Sequence, residues 1–123
     1  MQNTSPLASI HSESHFAVIF TSRRQLDDGI DYSIAARRMF ELATLQDGFL
    51  GIDSVRDADL KGITVSYWRD LDAIRAWYAV SEHRNVQELG RRLWYTAYTV
   101  RICEVQRSYH FRRDDPESKP GGE

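Results

Sequence analysis

The stretch FLGIDSVRDADLKGITVSYW, Phe49 to Trp68, holds two runs rich in aromatic and β-branched residues joined by a short polar link. Phe49-Leu50-Gly51-Ile52-Asp53-Ser54-Val55 reads as one strand and Ile63-Thr64-Val65-Ser66-Tyr67-Trp68 as the next. The link, Asp57 to Gly62, has hairpin length and contains glycine. A hairpin in mid-chain leaves the architecture to its flanks.

Upstream, Tyr32, Ala35, Ala36, Met39, Leu42 and Ala43 recur at helical spacing and form one stripe, with Arg37, Arg38 and Glu41 off it. Asp27 or Asp28 can cap that helix, and Gly48 suits the left-handed position past its end. Before it, Phe16-Ala17-Val18-Ile19-Phe20-Thr21 reads as a strand. Downstream, Asp70 can cap a helix in which Leu71, Ile74, Trp77 and Tyr78 share a face. Ser81 can restart one, with Val86, Leu89 and Leu93 on a common stripe. A last strand is expected over roughly Tyr98 to Tyr109. The order β-α-β-β-α-β predicts an α+β ferredoxin-like sandwich, with right-handed crossovers placing the helices on one side of a four-stranded antiparallel sheet.

The chain has 123 residues, 41% hydrophobic and 28% charged, which fits one domain. Residues 15–111 form the expected folded body, between flexible tails at residues 1–14 and 112–123. With 16 basic and 18 acidic residues the net charge is −2, so nucleic acid and anionic membrane are not expected partners. The N-terminus lacks a secretory signal pattern, and no apolar run approaches the ~20 residues of a membrane helix. Cys103 is the only cysteine, which excludes an intrachain disulfide and a cysteine-based zinc site. A cytoplasmic protein is expected.

Helices can cover one face of such a sheet, yet the first and third strands carry bulk on both faces. A second copy would shield the other face and close a barrel across a two-fold axis, so a homodimer through the open sheet face is expected.

Several segments in order resemble the antibiotic biosynthesis monooxygenase (ABM) family of the dimeric α+β barrel superfamily. They are Phe16 to Ser22, Arg38 to Ala43, Gln46 to Gly51, Gly62 to Trp68, and Ala73 to His83 followed by Gly90 to Tyr95. The likeness runs to a small uncharacterised bacterial branch and spans nearly the whole body. It implies the barrel fold and a cofactor-independent oxygenation of a small aromatic or quinol-like substrate, with no cofactor expected. It also leaves open a haem-binding or haem-handling protein and a non-catalytic dimer that binds a small molecule. Haem-degrading relatives use an Asn on the first strand, a Trp on the second helix and a His in that region. Here Trp77 resembles the Trp and His83 stands several residues early for the His, while the first strand offers Thr21 and Ser22 in place of Asn.

Among residues able to carry chemistry, Trp68, Trp77 and Trp94, with Tyr95 and Tyr98, come from elements that converge between sheet and helices, as walls for a flat apolar ligand. His83 is the candidate acid–base residue, titrating near neutral pH without help. Tyr67, Tyr98 or Trp68 could donate to a developing enolate oxygen, and Arg101 could hold an anionic group. The Asp57/Asp59 pair reads as a solvated turn, and no phosphate-loop, dinucleotide, zinc-protease or nucleophile-elbow pattern occurs.

Overall fold

The computed structural model describes residues 7–10, 14–25 and 29–114, apart from the side chains of residues 29–31 and 81–83. Its elements are β1 (His15–Arg24), α1 (Gly29–Thr44), β2 (Phe49–Arg56), β3 (Lys61–Trp68), α2 (Leu71–Tyr78), α3 (Ser81–Leu89), a π-helical turn (Gly90–Trp94) and β4 (Tyr95–Val105). The strands form one antiparallel sheet in the order β2-β3-β1-β4. This is the ferredoxin-like α+β arrangement. The proposed caps of α1, Asp27 and Asp28, lie outside the described residues.

Local chemistry sets the joints. Gly48 has φ of +92° where α1 gives way to β2, the left-handed geometry that glycine adopts without cost. In the β2–β3 link, Asp57 Oδ1 accepts the N–H groups of Asp59 and Lys61 at 2.9 and 3.0 Å. The left-handed residue of that turn is Leu60, with φ of +68°, rather than a glycine. At the start of α2, Asp70 Oδ1 accepts the Ala73 N–H at 2.8 Å.

The last strand starts and ends earlier than expected. The π-helical turn releases the chain into β4 at Tyr95, and Val105 already pairs with His15, the first residue of β1. Beyond Val105 β1 has no residue left to pair with, so the strand stops.

The core lies between sheet and helices: Val18, Ala43, Trp68, Ala73, Ile74 and Trp77 are buried, with Met39, Leu42, Phe49 and Val100 packed on them. Trp68 is fully buried and stacks on Trp77 with ring centroids 6.0 Å apart. Burial of an indole that size stabilises by roughly 4–6 kcal/mol before entropy is counted.

On the other face, Ala8 and Ile10 lie over Gly51, and the Ala8 N–H donates to Asp53 Oδ1 at 2.9 Å. Tyr67 donates to the other oxygen of Asp53 at 3.1 Å, and its ring meets His15 edge-on. At this end the face is covered; towards the β2–β3 turn, Val55 and Ile63 pair across the strands and stay exposed.

Candidate functional site

Strand alternation points Val18 and Phe20, Thr64, Ser66 and Trp68, Ile52, Ser54 and Arg56, and Val100 towards the helices. Between these side chains and α1, α2, α3 and the π-helical turn lies a cavity of about 270 Å³. The helices leave it open because α1 buries few of its residues: Tyr32 and Ala43 are buried, while Phe40 lines the cavity yet remains 46% exposed.

The cavity has two aromatic ends. At one, Trp68 and Trp77 stack, and Phe49 meets Trp68 edge-on at 5.4 Å. The Trp68 indole N–H is already given to Ser66 Oγ at 2.9 Å, so the polar group facing inward there is the serine hydroxyl. At the other end Tyr95 and Tyr98 meet Phe20 and each other, and Tyr32 meets Trp94 and Tyr95, with ring centroids 5.2–6.0 Å apart.

Tyr95 and Tyr98 are three residues apart, a spacing that opposes faces in a regular strand. Both nonetheless contact Phe20. The register slips between Arg23, paired with Ala97, and Arg24, paired with Tyr95, leaving Thr96 as an extra residue. Its hydroxyl donates to the Arg23 carbonyl at 3.2 Å. The bulge turns Tyr95 to the helix side.

Burial, then the neighbouring Tyr32 hydroxyl, pushes the Tyr95 phenol well above its ordinary pKa, so it stays protonated and able to donate. Tyr98 Oη accepts from Arg91 Nη1 at 3.0 Å, which polarises that hydroxyl as a donor. Arg56 Nη2 donates to Tyr32 Oη at 2.8 Å, and the Arg24 and Arg56 guanidinium carbons lie 4.3 and 4.9 Å from the Tyr32 ring centre.

Trp68, Trp77, Trp94 and Tyr98 thus meet in one cavity, as the sequence suggested. Tyr67 and Arg101 stand elsewhere. Both sit on the opposite sheet face, Tyr67 paired with Ala17 and Arg101 with Ile19; Tyr67 is bound to Asp53 and Arg101 is exposed. His83 is carried by α3, and its side chain lies outside the described residues. Sequence reasoning missed Tyr32 and Arg56. Arg56 was within reach, since it shares the parity of Ile52 and Ser54; Tyr95, grouped with Trp94 and Tyr98 from the sequence, reaches the cavity through a bulge that has no mark in the sequence. Among the described residues no group of His, Cys, Asp and Glu could hold a metal ion, and no helix is long and apolar enough to cross a membrane.

No family model matches the sequence. The uncharacterised protein YqjZ of Bacillus subtilis (strain 168) is 46% identical over 100 residues, covering 81% of this chain and 87% of YqjZ. Solved structures share the fold at low identity. SnoaB of Streptomyces nogalater, a cofactor-independent oxygenase, superposes with a TM-score of 0.67 at 14% identity over 79% of this chain and 97% of its own. Protein SO0527 of Shewanella oneidensis gives 0.67 at 7% identity over 76% and 93%. A Nitrosomonas europaea protein provisionally named an antibiotic biosynthesis monooxygenase gives 0.65 at 10% over 77% and 92%. The chain therefore belongs to the family of YqjZ and has the fold of the antibiotic biosynthesis monooxygenases.

Proposed function

We propose that the protein is a cofactor-independent oxygenase of a small planar aromatic or quinol-like substrate. The observation that carries this reading is the open cavity walled by Trp68, Trp77, Trp94 and Tyr95, with phenols, hydroxyls, Gln87 and Arg56 set into a mainly apolar lining. The fold shared with SnoaB supports it.

The chemistry asks little of the protein beyond position and dryness. A substrate methylene next to a carbonyl gives a proton to a base and becomes an enolate. The enolate carbon is oxidised by O₂, a C–O bond forms, and the peroxide takes up a proton. Loss of water from the hydroperoxide leaves a new carbonyl, so one oxygen atom enters the product and the other leaves as water. His83 is the base in this reading, and Tyr95 or Tyr98 donates to the enolate oxygen. Trp77 forms wall with Trp68.

The described lining supplies no imidazole or thiolate for haem; Met39 and the tyrosines are its only side chains of types that ligate haem iron. No part of the proposed chemistry passes through haem.

In this reading the protein works in the cytoplasm as a homodimer joined through the far face of the sheet, where Val55 and Ile63 are 70% and 37% exposed. Oxygen uptake with anthrone and a quinol panel tests the activity. Uptake that falls in His83→Ala supports the assignment of the base, and full activity in that variant removes it. No uptake with any member of the panel refutes the oxygenase reading.

A further inference from the structure

Arg56 is the one charged side chain among the described residues that line the cavity, and no acid is among them. It closes β2, where its register partner is Gly62, so no side chain across the strand screens it. One of its N–H groups goes to the Tyr32 hydroxyl, and none of the described carboxylates pairs with it. A guanidinium presents five N–H donors in a flat fork, and a neutral phenol satisfies one of them. Arg24 lies over the same tyrosine ring. Arg56 is exposed at the edge of the cavity, so its remaining donors are open to an anion that enters there, and a planar carboxylate matches the fork with two charge-assisted hydrogen bonds.

We propose that Arg56 is the anion anchor of the cavity and that it selects planar aromatic ligands bearing a carboxylate. The carboxylate lies at the tyrosine end beside Arg56, and the ring system lies against the aromatic wall. This rests on the cavity being an aromatic-ligand site, as in the function proposed above, and adds the ligand's charge. The role suggested by sequence for Arg101 passes to a residue on the cavity side of the sheet.

Calorimetric titration of the full chain with 2-naphthoate and with neutral 2-naphthamide, nearly the same in shape, tests it. The parent is expected to bind naphthoate about tenfold more tightly or better, the scale of one charge-assisted fork. Arg56→Gln removes that preference and leaves naphthamide binding within about twofold, whereas Arg56→Lys, which keeps the charge and loses the fork, retains part of it. Unfolding curves of both variants are expected to match the parent's, because the Arg56 side chain is exposed. Equal binding of the two probes by the parent overturns the anchor and leaves the aromatic-cavity reading standing, as does an undiminished preference in Arg56→Gln. A parent that binds neither probe overturns both.

Discussion

At Gly48 two constraints coincide. Its φ of +92° strains any side chain, and a Cβ there would sit 2.5 Å from Ala73 Cβ, pressing β2 away from α2. Gly48→Ala is expected to destabilise the protein by about 2 kcal/mol or more, read as a lower urea midpoint with unchanged slope. Gly90 makes a useful contrast. Its backbone is helical, but a Cβ would come within 2.8 Å of the Tyr95 ring, which must then move. Gly90→Ala should cost less stability than Gly48→Ala and should weaken 2-naphthoate binding, because the shifted ring belongs to the cavity wall. The role of Gly48 was legible in sequence, from Gln46-Asp47-Gly48 at the end of a helical stripe. That of Gly90 was not, since its neighbour Tyr95 is brought back over it only by the π-helical turn and the bulge.

Helix α2 owes its start to a charged cap. Asp70 begins α2, and Arg69 bridges it at 3.0 Å while binding both oxygens of Asp47 at 3.2 Å. The Ala73 amide, then Arg69, holds the Asp70 carboxyl below its ordinary 3.8, and Arg69 does the same for Asp47. A carboxylate whose pKa is lowered by folding stabilises the native state above its unfolded pKa, and that contribution fades as pH falls through the lowered value. Thermal unfolding should therefore lose midpoint as pH drops below about 4. Asp70→Ala should lower the midpoint by a few degrees at neutral pH and flatten this acid dependence; an unchanged acid slope would count against the cap as its source. Helix and strand identities were readable because periodicity and capping act over a few residues. The bounds of β4 were not: Tyr95 enters the strand through the π-helical turn, and Val105 ends it where β1 runs out.

For the whole molecule, the sheet divides two environments. One face holds the cavity; the other carries His15, Asp53 and Tyr67 beneath Ala8 and Ile10, then the exposed Val55 and Ile63. If two copies meet on that second face, sedimentation at micromolar concentration should give twice the chain mass of 14.3 kDa, and Ile63→Glu should return single copies. A parent that sediments at one chain mass refutes the dimer. The primary structure was enough for the order of strands and helices, the mid-chain hairpin, the α2 cap and the aromatic character of the cavity wall, because each follows from residues close together in the chain. Which side chains share the cavity was settled by long-range register. Pairing of β1 with β3 and β4 sends Tyr67 and Arg101 to the far face, a single extra residue at Thr96 turns Tyr95 inward, and the approach of α1 to β2 gives Arg56 a phenol for its neighbour. Alternation along a strand is local, but its phase relative to the rest of the protein is a property of the assembled sheet.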